Sequence, residues 1–127
     1  GSGRSRAIPV EVRRKRVFGK NPQVLAEEAA RAEAEAAQAR RAAEEKAAVK
    51  VGIKEGLESL SGKIPGLVDI HVNIDALPSS NADLMLDTTF ESAEALKGYS
   101  THPAHVAVAN SKVRPYYKNR ICLDYEV

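Results

Sequence analysis

The order of patterns along the chain predicts an α+β fold, a ferredoxin-like plait preceded by a long Ala-rich N-terminal helix. Three observations carry this. Residues 22–50 are an uninterrupted tract of helix formers. Residues 49–60 carry one apolar stripe at helical spacing. Residues 67–74, 82–90 and 120–127 alternate apolar and polar side chains with the period of a strand. From residue 49 the order is helix, strand, strand, helical region, strand, which is the plait without its first strand.

The elements follow in chain order. Residues 1–20 form a basic N-terminal segment, with seven Arg and Lys against Glu11 alone. Its first three residues, Gly-Ser-Gly, read as a cloning remnant. Within it residues 7–18 are a candidate strand, because Ile8, Val10 and Val12 alternate with Pro9, Glu11 and Arg13. Pro9 cannot donate to a ladder, which suits a strand edge or start.

Residues 21–48 are an Ala/Glu/Arg-rich helix expected to stand in solvent. Twelve of the residues from 22 to 50 are Ala, and no large apolar side chain lies between Leu25 and Val49. Asn21 suits the N-cap and Pro22 the first helical position. Residues 49–127 form the plait domain. Val49, Ile53, Leu57 and Leu60 make the buried stripe of its helix. Ser61-Gly62 is expected to end that helix, and Lys63-Ile64-Pro65-Gly66 to turn the chain. In the first strand Val68, Ile70, Val72 and Ile74 are expected on the core face, opposite Asp69, His71 and Asn73. Residues 91–99 predict a short helix, and residues 102–117 a second helical stretch ending near Pro115. Phe90, Leu96, Tyr116 and Tyr117 are expected to fill the core or a dimer interface.

Composition excludes several classes. No stretch is apolar for long enough to span a membrane. The N-terminus has no apolar run of a secretory leader. One cysteine, Cys122, makes an internal disulfide and a paired-cysteine zinc site impossible, and fits a reducing, cytoplasmic setting. Trp is absent, and six aromatic residues are too few for a base-stacking surface.

Residues 49–127 resemble the stress-responsive dimeric α/β-barrel family. The matching stretches are Gly56-Leu57-Glu58-Ser59-Leu60, Gly62-Lys63-Ile64-Pro65-Gly66, Thr89-Phe90-Glu91-Ser92, Tyr99-Ser100-Thr101-His102-Pro103-Ala104-His105 and Asp124-Tyr125-Glu126-Val127. The resemblance implies a homodimer, a dimeric α/β barrel in which the sheets of two plaits close around a two-fold axis, with no cofactor. A plant polyketide cyclase of this family implies catalytic roles for Tyr99 and His105. That enzyme carries further histidines in its first strand and in the strand matching residues 82–90. Here no histidine precedes His71, and Leu84 stands at the second position. Residues 9–48 resemble the N-terminal region of the bacterial initiation factor that delivers initiator tRNA. A chimera, with a foreign strand in place of the first, is implied.

The chemistry divides accordingly. A near-neutral His105 can act as a general base, and the Tyr99 hydroxyl can orient a carbonyl. The competing reading makes His102-Pro103-Ala104-His105 a structural turn. His102 and His105 have spacing for a metal but no evident third ligand. His71 reads as a surface or interface side chain, and Cys122 as a buried or inert thiol. Arg13, Arg14, Lys15 and Arg16 could contact RNA or the ribosome through phosphates, or simply discourage strand pairing at an edge.

One helix over residues 22 to 61 would be about 60 Å long. It would carry residues 7–18 far from their own sheet. The helix could break, the first segment could stay unordered, or it could enter another subunit as a swapped strand. The unbroken Ala tract disfavours the first, and the apolar alternation the second. A strand-swapped homodimer is therefore expected.

Overall fold

The computed structural model describes residues 21–127. The candidate strand at 7–18 and the basic residues Arg13, Arg14, Lys15 and Arg16 lie outside them. The chain divides into two compact units, 1–42 and 43–127. Of the first, the described part is helical and almost wholly exposed, as a tract of Ala, Glu and Arg without large apolar side chains dictates.

Helix α1 runs without interruption over Pro22–Glu58. Asn21 starts it: its side-chain Oδ1 accepts from the Val24 N–H at 2.8 Å, and its carbonyl from Leu25 at 3.1 Å. The break that the unbroken Ala tract disfavoured is absent. In the second unit α1 buries Ile53 and Leu57, with Val49 packed beside them. The helix ends at Glu58, three residues before the expected stop. Residues 59–62 continue as tightened turns, with Leu60 N–H donating to Leu57 and Ser61 to Glu58. Gly62, at φ +77°, reverses the chain in a conformation that costs other residues a Cβ clash.

Strand β1, Leu67–Asn73, pairs antiparallel with β2, Met85–Phe90. Ile70 faces Thr88, His71 faces Asp87 and Val72 faces Leu86. The register slips between Leu67 and Asp69, which corrects the predicted face of Val68. The extra residue of the bulge turns Leu67 towards the core and leaves Val68 61% exposed. Ile70 and Val72 are buried as expected.

Helix α2, Ala93–Thr101, and helix α3, Pro103–Val108, follow, and one π-helical turn, Ala109–Val113, ends the helical run. The core of the unit joins Ile53, Leu57, Leu60 and Ile64 to Ile70, Val72 and Tyr99, with Phe90, Leu84 and Val108 packed against it. Leu60 and Val72 are fully enclosed. Gly56 lets α1 and the 103–113 run approach: a Cβ there would lie 3.1 Å from Val108 Cγ1.

Residues 120–127 are not a strand, contrary to the alternation of Ile121, Leu123 and Tyr125. These three are 90%, 80% and 76% exposed. A strand needs a neighbour to satisfy its backbone. In a plait the last strand lies beside the first, and among the described residues the sheet has only β1 and β2. Tyr116 and Tyr117 are also exposed and fill no core here. Among the described residues no helix is long and apolar enough to cross a membrane.

Candidate functional site

Tyr99 and His105 are brought together by the junction of α2 and α3. Ser92 caps α2, its hydroxyl accepting from the Ala95 N–H at 3.1 Å. Ten residues later the helix stops at His102, whose N–H still donates to the Tyr99 carbonyl at 3.2 Å. His102 then caps α3: its Nδ1 accepts from the Ala104 N–H at 3.1 Å, and Pro103 takes the first turn, where a missing N–H costs nothing. His102 is thus a structural cap, and its Nδ1 is committed to the backbone.

His105 lies in the first turn of α3, with its ring 4.1 Å from that of Tyr99 and tilted by 34°. Phe90 closes the other side of Tyr99, edge-on at 5.1 Å. His105 Nδ1 is 3.3 Å from the Ser100 carbonyl. A carbonyl only accepts, so the neutral ring carries its proton on Nδ1 and keeps a lone pair on Nε2. Burial, partly opposed by that bond, lowers the His105 pKa, and Arg114, Arg120 and His102 push it the same way. Burial raises the Tyr99 pKa, against the opposing charge of Arg120. Tyr99 is 6% exposed, and its buried hydroxyl has no hydrogen-bond partner among the described residues. The pair therefore joins a neutral imidazole base to a phenol that holds its proton and has an unspent donor.

An open groove of about 410 Å³ lies nearby, lined by Ile64, Pro65, Gly66, Glu91, Glu94, Ala95, Gly98 and His102. Neither Tyr99 nor His105 lines it. Among the described residues no three His, Cys, Asp or Glu side chains are grouped to hold a metal.

The other singled-out residues lie apart. His71 is exposed, with Nδ1 3.3 Å from Glu58 Oε2. Cys122 is exposed rather than buried, because its segment has no sheet to enter; its thiol donates to Asp124 Oδ1 at 3.4 Å. Leu84 is half-buried against the core.

One cluster was not legible in the sequence. Glu58 Oε2 accepts from Lys54 Nζ at 2.8 Å and from the Val72 N–H at 2.9 Å, while Lys54 Nζ also donates to the Val72 carbonyl at 2.7 Å. These bonds, the one from Lys54 foremost, hold the Glu58 carboxyl below the usual carboxylate range. Lys54 and Glu58 are visible in the sequence as an i, i+4 pair, but the strand they meet is set only by tertiary packing. Lys46 and Asp83 pair similarly at 2.6 Å, on the surface.

A two-stranded antiparallel sheet backed by helices, with a Tyr–His pair at a helix junction, defines an α+β domain of the plait class. The chain belongs to the stress-responsive A/B barrel domain family, whose model matches residues 30–127. It is similar to a dimeric protein of unknown function and ferredoxin-like fold from Bacteroides fragilis. The two are 33% identical with a TM-score of 0.62, over 66% of this chain and 81% of that one. Residues 1–21 match the associated region of bacterial translation initiation factor IF-2. No curated protein gives a significant match.

Proposed function

We propose that the chain is a dimerising α/β-barrel subunit without an evolved catalytic activity, an engineered or recombined product. In it residues 7–18 replace the first strand and complete the sheet of a second copy. One observation carries this reading: the sheet is unfinished. Among the described residues β2 has no second neighbour, and Ile121, Leu123, Tyr125 and Val127 stand exposed with alternating apolar side chains. A two-stranded sheet is marginal alone, and such a row is a template for pairing. The uninterrupted α1 supports a segment that leaves its own domain.

Light scattering and small-angle X-ray scattering on the full chain, and on a version starting at Ala47, test it. The full chain is expected to be a stable, elongated dimer, and the shortened chain to aggregate or unfold. An equally stable dimer from the shortened chain would show residues 7–18 to be an appendage.

A second reading is favoured by the Tyr99–His105 contact and the unspent Tyr99 hydroxyl. In it the domain is a cofactor-independent cyclase or lyase for a small ketide. Tyr99 donates to the substrate carbonyl, and His105 Nε2 takes the proton from the carbon beside it. Turnover of a linear ketide that falls by about 10²-fold or more in both Tyr99→Phe and His105→Gln supports this reading. Absence of turnover in the parent chain favours the first.

A further inference from the structure

In an antiparallel pair every second residue bonds the neighbouring strand, and the residues between turn their N–H and C=O outward. Val72 is an outward residue of β1, and two side chains of α1 already bond both of its groups. Its N–H donates to Glu58 Oε2 at 2.9 Å and its carbonyl accepts from Lys54 Nζ at 2.7 Å. Lys54 also donates to Glu58 at 2.8 Å, and His71 Nδ1 lies 3.3 Å from the same Glu58 oxygen. In the single subunit these side chains do for Val72 what a further strand would do. They differ from a strand in how they are held. Lys54 and Glu58 are 32% and 30% exposed, so each can swing into water while α1 stays folded.

A closed barrel leaves no strand edge open. When two subunits close one, a strand of the second copy must lie about 4.8 Å from the outer edge of β1 and bond Val72 itself. We infer that Lys54 and Glu58 are a releasable cap on the edge where the barrel closes. They satisfy Val72 while the subunit is alone, and the partner's strand displaces them on pairing. Dimer formation then competes with bonds inside the subunit, and the cap sets how tightly two copies hold each other. The inference rests on the dimerising reading above and on contacts within residues 43–127. It does not depend on whether residues 7–18 supply the first strand.

The test uses the full chain, with the dimer dissociation constant read from a dilution series by analytical ultracentrifugation. Lys54→Ala/Glu58→Ala removes the competing bonds, and its dimer is expected to be tighter than the parent's by on the order of tenfold. Lys46→Ala/Asp83→Ala removes a surface pair that bonds no strand backbone, and is expected to leave the constant unchanged. A dimeric parent whose Lys54/Glu58 variant dimerises no more tightly overturns the cap alone. A parent that stays monomeric at every concentration overturns the dimer reading and the cap with it. Hydrogen exchange at the Val72 amide gives a second readout, in the milder variant Glu58→Gln as well as in Glu58→Ala. In dilute monomer the amide is expected to exchange faster in both variants than in the parent, by on the order of tenfold in Glu58→Ala. In concentrated dimer all three are expected to be equally slow, because the partner's strand then covers Val72. An amide that stays fast in the variant dimers is not covered by a strand, and the cap is then wrong.

Discussion

Among the described residues, Tyr99 occupies the one core position whose polar atom is left without a partner. A buried hydroxyl without a hydrogen bond costs about 1–3 kcal/mol relative to the same ring without it. Tyr99→Phe is therefore expected to raise the unfolding free energy by about 1 kcal/mol, read from urea denaturation. A loss of stability would mean that the hydroxyl is bonded in solution. His105 makes a second prediction at this scale. Its pKa is lowered by burial, so the unfolded chain binds a proton more readily than the folded one. Its neutral form stabilises the fold above pH about 6.5, the ordinary imidazole value. That contribution is lost as the pH falls below it, through the folded-state pKa. The melting temperature is expected to drop between pH 7.5 and pH 5.5, and to drop less in His105→Gln. Glu58 acts in a lower window. Its carboxyl is held down by Lys54 and Val72, so its share disappears only as the pH falls through and below the ordinary carboxylate range. That Tyr99 and His105 flank one His-Pro turn was legible, and the family resemblance singled the two out; their ring contact came from the structure. The empty hydroxyl was not legible, because it depends on Phe90 arriving from a strand.

Elements are set by where local signals and packing agree. Asn21 and Ser92 cap helices as short polar residues do; Asn21 was expected to, whereas Ser92 caps a helix that starts two residues later than expected. Gly66 is different. Its φ of +80° and the neighbouring α2 both exclude a side chain, since a Cβ would run into that of Ala95. Gly66→Ala is expected to cost about 2–4 kcal/mol. Gly62, at a similar φ but with open space around it, is expected to lose only about 1 kcal/mol as Ala. Thermal unfolding of the two variants separates strain from collision; equal losses would contradict the close approach of α2. Leu60, in the centre of the core, is expected to lose about 2–5 kcal/mol as Ala. The bulge at Val68 shows the limit of periodicity. A period of two assigns faces only while the register holds, and one extra residue exchanged Val68 for Leu67.

For the whole molecule, the unfinished sheet separates folding from assembly. Ile121 and Leu123 touch little in the single chain. Replacing both by Glu is expected to change the unfolding free energy of an isolated subunit by no more than about 0.5 kcal/mol. The same change is expected to shift the mass seen by light scattering towards the monomer, because apolar strand residues gain only on pairing. An unchanged dimer would place the interface elsewhere.

By itself the sequence determined the long Ala-rich helix, the Val49–Leu60 stripe, the two central strands and the Tyr-His turn. All of these follow from signals between residues a few positions apart. Only the tertiary structure decided the rest. It decided that residues 120–127 remain without a ladder, that the register slips at Val68, that Cys122 is exposed, and that Lys54 and Glu58 meet Val72. Each of these depends on which backbone groups find a partner from a distant part of the chain, and no local period encodes that.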